Sequence, residues 1–247
     1  MALGGYHAPM VTVALIHGGL WEDMDASRFW RRPGIIAGLE RHGLTVLAPD
    51  RLGRPPDWDA EARHLAAALA LSLPPGSPVT VVAGSNGCSA AVRLALTVPG
   101  AVTRMVLAWP ATAHDPVIDD AVRAGLTELG AATETIGALL AGETLRGVSD
   151  AELGTLRLPI GVIPAEPASP PHQRGTADAL LRVLPQAGEL AGCPEPPTRA
   201  FPPHLESFVA VVAAFATGAL SEGWATVGLW LTFPGPICAE RDSIGPT

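Results

Sequence analysis

Ser85 is the residue of this chain whose surroundings are best suited to chemistry. It follows an apolar run at residues 78–83, and a helical pattern begins directly after it. The residues two positions before and after it, Ala83 and Gly87, are small enough for a strand end and a helix start to meet in a tight turn. Such a turn holds the hydroxyl above the sheet edge, where the helix N-terminus adds positive partial charge. The predicted chemistry is nucleophilic attack by Ser85 on an acyl carbon.

This segment has three other interpretations. A short Gly/Ser turn between strand and helix also cradles phosphate in α/β proteins, so the turn alone is not decisive. A register one residue later would put Asn86 at the nucleophile position, but the spacing to the helix-ending Pro99 favours Ser85. Cys88, one helical turn farther on, has no histidine near it in the sequence, and we expect it to be a core residue rather than a reactive thiol.

The elements that must position Ser85 alternate along the chain. Short apolar runs are predicted as strands, and helical patterns separate most of them. Strands that are apolar on both faces indicate a parallel sheet, and right-handed crossovers then place helices on both sides of it. The predicted strands are residues 11–16, 44–48, 78–83, 102–109, 158–163 and, more weakly, 187–190. The predicted helices are residues 27–42, 58–73, 89–98, 172–184 and 203–217.

Two segments depart from this alternation. Residues 111–157 carry helix-like pieces but no strand, and we interpret them as a small helical lid over the sheet. Within them, Ser149 and Glu152 have the spacing of a capping box, which predicts a helix start. Residues 218–247 have no regular pattern and are interpreted as a C-terminal extension of unknown structure and role. The predicted domain spans residues 1–217.

Composition narrows the class of protein. The chain has 247 residues, of which 48% are hydrophobic and 16% charged, which excludes a disordered chain. A formal net charge of −8 disfavours binding to nucleic acid. Three cysteines without metal-ligand spacing predict neither a disulfide framework nor a metal site. The start lacks the pattern of a signal peptide, and the longest apolar runs fall short of the about 18 residues of a membrane helix. We therefore expect a cytoplasmic protein that does not bind membranes. The sequence does not predict its oligomeric state.

Several motifs together resemble the α/β-hydrolase superfamily, over about residues 11–217. They are Leu15-Ile-His-Gly-Gly-Leu-Trp21 after the first strand, Pro49-Asp-Arg-Leu-Gly53 after the second, Arg104-Met-Val-Leu-Ala-Trp-Pro110 at the fourth, and the turn at Ser85. The family turn is Gly-x-Ser-x-Gly, and here Ala83 replaces the first glycine. The resemblance implies an α/β-hydrolase fold with a mostly parallel sheet of about six strands, helices on both faces, and a small helical lid.

The resemblance also implies the partners of Ser85. In the family the nucleophile is followed along the chain by an acid and then a histidine. Glu166 is the carboxylate close behind the fifth strand, and His204 is the histidine behind the last one. His204 would then take the proton of Ser85, while the carboxylate orients the imidazole. The family commonly places its acid two residues later, where this chain has Ala168, so Asp115 after the fourth strand stays open as the acid.

Other residues receive roles by the same resemblance. The backbone N–H groups of Gly19 and Asn86 would form an oxyanion hole. His17 is expected to brace that loop as a structural residue, and Trp21, close to Gly19, is a candidate for substrate binding. His172 follows the strand that should carry the acid, where a base would be misplaced, and we expect no catalytic role for it.

The function expected from these residues is that of a serine hydrolase of the esterase type. It would need no cofactor or metal and would cleave a carboxylic ester of a small apolar molecule through an acyl-enzyme. Two alternatives share the fold: a non-hydrolytic enzyme of the lyase or cyclase type, and a catalytically silent protein that binds a small metabolite.

Overall fold

A computed structural model describes residues 11–220, which contain one sheet of six parallel strands. The strand order is β2-β1-β3-β4-β5-β6, and each neighbouring pair is parallel. The strands are β1 (Thr12–Ile16), β2 (Thr45–Leu47), β3 (Val79–Gly84), β4 (Val102–Ala108), β5 (Ile160–Ile163) and β6 (Ala187–Glu189). The six predicted runs are thus confirmed as strands, each with slightly shifted ends.

Helices cover both faces of this sheet, as predicted. They are α1 (Ile35–Arg41), α2 (Trp58–Ser72), α3 (Gly87–Thr97), α4 (Pro116–Glu128), α5 (Thr133–Leu140), α6 (Asp150–Leu153), α7 (Arg174–Val183) and α8 (Leu205–Ala216). Successive residues of the central strand β3 point to opposite faces: Val81 packs into the hydrophobic cluster that contains α2 and α3, and Val82 into the one that contains α1 and α8. Because both faces are buried, the central strands are mostly apolar, with Thr80 as the polar residue of β3.

One predicted helix is interrupted. Residues 27–42 form a π-helical turn (Ser27–Arg31) and then α1, rather than a single helix. Pro33 lacks a backbone N–H, and Gly34 has a φ of 89°, a left-handed conformation that a continuous helix excludes. The chain therefore changes direction between the two pieces.

The predicted lid, residues 111–157, contains α4, α5 and α6 and lies between β4 and β5. Its capping box is present: the Ser149 hydroxyl accepts the N–H of Glu152, whose carboxylate accepts the N–H of Ser149. Residues 221–247 of the predicted C-terminal extension lie outside the described residues, so the division at residue 217 stays a prediction. Between residues 11 and 220 there is no helix of the length and apolar character needed to cross a membrane.

Candidate active site

Ser85 stands at the turn between β3 and α3, in a conformation that few residues other than glycine adopt. Its φ is 54°, and its backbone N–H donates to the carbonyl of Ala108 over 3.0 Å, which fastens the turn to β4. The turn is crowded: a Cβ on Gly87 would lie 2.5 Å from the carbonyl oxygen of His17. Glycine is therefore required at that position, which is the physical basis of the sequence pattern.

His172, and not His204, supplies the imidazole beside Ser85. Ser85 Oγ lies 2.9 Å from His172 Nε2, and both residues are buried. Burial lowers the pKa of His172 to about 4, so its imidazole is neutral near pH 7. A neutral imidazole accepts the serine proton, which is the protonation state that a general base needs.

The predicted placement of His204 beside the nucleophile was wrong. His204 ends a 3-10 turn (Pro202–His204) that leads into α8, and its carbonyl accepts the hydroxyl of Ser207. No hydrogen bond joins its side chain to Ser85 within residues 11–220. The chain has already passed the active-site edge of the sheet with the loop after β6, and by residue 204 it is starting the next helix.

A carboxylate from that loop faces the other side of the imidazole. Glu195 Oε2 lies 3.5 Å from His172 Nδ1, at the long end of a polar contact. Burial, with a smaller contribution from the negative charge of Glu22, raises the pKa of Glu195 to about 8. Ser85, His172 and Glu195 thus lie in a row, in the order that a proton relay requires.

Neither carboxylate expected from the sequence contacts His172. Glu166 is exposed, and its side chain packs along Gly192, where an added Cβ would lie 2.7 Å from Glu166 Oε1. Asp115 caps α4 by accepting the N–H of Ile118, and it also accepts the side-chain N–H of Gln173. These hydrogen bonds lower the pKa of Asp115. The structure therefore does not bring Glu166 to the imidazole beside Ser85, and Asp115 is a helix cap.

The loop after β1 packs directly on Ser85. A Cβ on Gly18 would lie 2.9 Å from the Cβ of Ser85. Arg51, which follows β2, donates through Nη1 to the carbonyls of His17 (3.1 Å), Gly18 (3.3 Å) and Gly19 (2.8 Å). Because the C=O and N–H of a planar trans peptide point in opposite directions, fixing the Gly18 carbonyl toward Arg51 turns the Gly19 N–H away from it.

His17 is part of this support, as expected for a structural residue. Its Nε2 accepts the backbone N–H of Arg51 over 3.0 Å, so the ring proton lies on Nδ1, which donates to the Gly18 carbonyl over 2.7 Å. Burial and the charge of Arg51 lower the pKa of His17, which keeps the ring neutral. Arg51 is in turn paired with the fully buried Glu61, with Nε 3.3 Å from Oε1.

Asn86 and Trp21 complete the predicted set. Asn86 directly precedes α3, and its side-chain oxygen accepts a hydrogen bond from Arg146 of the lid over 3.2 Å. Trp21 has a φ of 62°, its indole N–H donates to the carbonyl of Pro55, and the guanidinium of Arg54 lies 5.4 Å from its ring centre. A contact of Trp21 with substrate stays a prediction. Within residues 11–220 no three His, Cys, Asp or Glu side chains are grouped so as to hold a metal ion.

Comparison with known proteins was informative only at the level of structure. No protein-family profile and no curated protein matches the chain. Among solved structures, BpoC of Mycobacterium tuberculosis, named as a non-heme bromoperoxidase, has a TM-score of 0.63 at 13% identity, over 84% of this chain and 92% of its own. The meta-cleavage product hydrolase CumD of Pseudomonas fluorescens has a TM-score of 0.61 at 18% identity, over 84% of this chain and 91% of its own.

A third solved structure, an α/β-hydrolase enzyme from the metagenome of lagoon sediments at Mar Chica, Morocco, has a TM-score of 0.62 at 16% identity. It covers 88% of this chain and 98% of its own. The chain has the α/β-hydrolase fold. At these identities the likeness concerns the fold and leaves the reaction open.

Within the α/β-hydrolase fold the arrangement here is unusual in one respect. Members of the fold carry the acid before the histidine along the chain. Here the histidine comes first, after β5, and the carboxylate second, after β6. The assumption of the family order hid both residues from sequence reasoning. Without it, His172 and Glu195 were available candidates, since each lies in a loop that leaves the same edge of the sheet.

Proposed function

We propose that this protein is a serine hydrolase that cleaves carboxylic esters through an acyl-enzyme, with Ser85 as nucleophile and His172 as general base. The observation that carries the proposal is the 2.9 Å contact between Ser85 Oγ and His172 Nε2 at the turn between β3 and α3. A serine hydroxyl is a weak nucleophile unless a neighbouring base removes its proton. The burial that keeps His172 neutral supports this assignment.

The reaction follows from these positions. Ser85 Oγ attacks the carbonyl carbon of the ester while its proton passes to His172 Nε2. The carbonyl oxygen becomes an oxyanion, which accepts hydrogen bonds from the backbone N–H groups of Gly19 and Asn86. The C–O bond to the alcohol then breaks, and the alcohol leaves with the proton from Nε2. Water next attacks the acyl-enzyme, with His172 again as base, and releases the acid.

Glu195 orients the imidazole and stabilises its charged form in this scheme. An ionised Glu195 beside Nδ1 favours the tautomer whose Nε2 is free to accept the serine proton, and it offsets the positive charge that forms on the ring. Because the pKa of Glu195 is raised to about 8, the ionised form becomes dominant only under mildly alkaline conditions.

We propose a small, uncharged or apolar molecule as substrate. Support comes from the two carboxylates near the nucleophile: Glu195 behind His172, and Glu22, whose Oε1 lies 3.2 Å from the position that a Cβ on Gly19 would occupy. A substrate with a carboxylate of its own would be repelled by Glu22 and, under the mildly alkaline conditions that ionise it, by Glu195 as well. The net charge of −8 likewise disfavours polyanionic partners such as nucleic acid.

A fluorophosphonate probe tests the proposal, because it reacts with an activated serine, losing fluoride and forming a phosphonate ester. We expect the probe to label Ser85, located by peptide mass spectrometry, and the wild type to hydrolyse p-nitrophenyl esters. Ser85→Ala should lose both properties, whereas Ser207→Ala, at an exposed serine of α8, should keep them. A folded wild type that is neither labelled nor active would overturn the proposal and favour a metabolite-binding or lyase-type protein.

A further inference from the structure

We propose that Arg146 of the lid is a positioning residue for the active site, which acts by holding Asn86, the residue after the nucleophile. This inference rests on the proposed function, since it concerns the oxyanion hole of that reaction. Arg146 Nη1 donates to Asn86 Oδ1 over 3.2 Å, and Nη2 donates to Asp119 Oδ1 over 2.9 Å. One buried guanidinium thus joins the start of α3 to α4 of the lid.

The burial of this side chain sets it apart from an ordinary surface arginine. Its side chain is 3% exposed, and its Nε is buried without a hydrogen-bond partner among residues 11–220. Burying a cation is costly unless it is paired and hydrogen-bonded. Asp119 supplies the opposite charge, and the contact of Arg146 that reaches the turn of Ser85 is the one with Asn86.

The turn that carries Arg146 is fixed by its own backbone and by its neighbours. Bridges join Gly142 to Arg146 and Leu145 to Val148. Gly142 and Gly147 have φ values of 112° and 72°, which favour glycine. A Cβ on Gly147 would collide with the indole of Trp58. The turn is thus packed against α2, and the guanidinium extends from it to Asn86.

The consequence concerns the backbone N–H of Asn86. The Asn86 side chain is held at Oδ1 by Arg146 of the lid, and Asn86 directly precedes α3. In the proposed reaction this hydrogen bond restrains the peptide N–H that faces the substrate carbonyl. The oxyanion exists only in the transition state, and a misaligned donor therefore lowers kcat with little effect on KM. Arg146 touches neither substrate nor nucleophile in this account, and it acts through Asn86 alone.

A double-mutant cycle of Arg146→Met and Asn86→Ala tests this inference, with kcat and KM measured on a p-nitrophenyl ester below the unfolding temperature of every variant. We expect Arg146→Met to lower kcat about 10-fold and to change KM by less than about 2-fold. This loss in kcat is smaller than the loss expected when an oxyanion donor is removed altogether. In the Asn86→Ala background the same change should have less than about a 2-fold effect, because the tether is already gone. Equal losses in both backgrounds, or an unchanged kcat, would overturn the inference.

Three further variants separate orientation from charge and from folding. Arg123→Met removes an exposed arginine of α4 and should leave kcat unchanged. Asp119→Asn keeps an acceptor for Arg146 and should change kcat less than about 2-fold if orientation matters more than charge. Arg146→Lys, which keeps the charge but has one nitrogen for two acceptors, should recover only part of the loss. Full recovery by lysine, or a loss in Asp119→Asn equal to that in Arg146→Met, would contradict the orientation argument.

A measurement that does not depend on activity keeps the two proposals apart. In amide NMR spectra, Arg146→Met should shift the side-chain and backbone resonances of Asn86, which are assigned by their loss in Asn86→Ala. Unchanged resonances would overturn the tether itself. Absent fluorophosphonate labelling of Ser85 in the wild type, together with shifted Asn86 resonances, would overturn the proposed function and the catalytic role of Arg146 while leaving the contact intact.

Discussion

Glu195 presents its carboxylate to the side of His172 that faces away from Ser85, with Oε2 3.5 Å from Nδ1. The two residues come from the loops after β6 and β5, which are neighbours in the sheet. Parallel strands end at a common edge, so either loop can deliver either group to the nucleophile. A relay depends on the distances among its members and not on their order along the chain.

Replacing each of the two histidines by alanine, one at a time, provides the most direct test of the relay. We expect His172→Ala to lower kcat/KM for ester hydrolysis by about 10⁴-fold or more, because the serine loses its base. His204→Ala should leave kcat/KM within about 2-fold of wild type, since no contact joins it to the nucleophile. The comparison is made with initial rates on a p-nitrophenyl ester. A loss confined to His204→Ala would contradict the relay described here.

Replacing Glu195 or Glu166 by glutamine tests which of the two carboxylates assists His172. Glu195→Gln should lower kcat by about 10²- to 10⁴-fold, because an amide does not offset the charge of the imidazolium. Glu166→Gln, at an exposed residue packed along Gly192, should be close to wild type in kcat. Steady-state kinetics of both variants decide the assignment. An active Glu195→Gln would show that His172 needs no carboxylate.

The rate of ester hydrolysis is expected to rise toward alkaline pH. His172 is already neutral above about pH 4, so the later step is the ionisation of Glu195, whose pKa is raised to about 8. Activity should therefore increase as pH rises through about 8. Glu22→Gln removes a negative charge that raises this pKa, and the midpoint should move to lower pH. Rates of wild type and variant between pH 5 and pH 10 test this, and a midpoint moving upward would contradict it.

Arg51 supports the loop after β1 and also stabilises the fold through its ion pair, and the two contributions can be measured separately. Arg51→Met leaves Glu61 buried without its partner, and we expect a loss of about 3–5 kcal/mol in the free energy of unfolding. The double variant Arg51→Met/Glu61→Leu removes both charges and should recover most of that stability.

The double variant should nevertheless stay at least about 10-fold below wild type in kcat, because the carbonyls of His17 and Gly19 have still lost the Arg51 donor, and that of Gly18 keeps only the ring N–H of His17. Denaturant unfolding and ester kinetics on the same preparations provide the two readouts. Recovery of both stability and kcat would mean that Arg51 contributes nothing to the loop beyond its ion pair.

The residue pattern was sufficient to predict the parallel sheet and the tight turn that carries Ser85. Strands buried on both faces are mostly apolar, so β3 and its neighbours could be identified from short apolar runs in the sequence. The turn at Ser85 tolerates only small residues at Ala83 and Gly87, which makes a local pattern diagnostic of a local structure. The break at Pro33 and Gly34 was not predicted, because the periodic pattern of residues 27–42 indicated one helix. Both residue types nevertheless disfavour a continuous helix.

Which histidine and which carboxylate lie beside Ser85 depends on the tertiary structure. His172 and Glu195 are 87 and 110 positions farther along the chain, and no local pattern constrains residues at such separations. What joins them is the adjacency of β5 and β6, with loops long enough to reach over a common sheet edge. The same holds for Arg146, whose contact with Asn86 exists because the lid folds back over α3. Local sterics fix the turn at Ser85, whereas the residues that surround its hydroxyl depend on how distant loops pack.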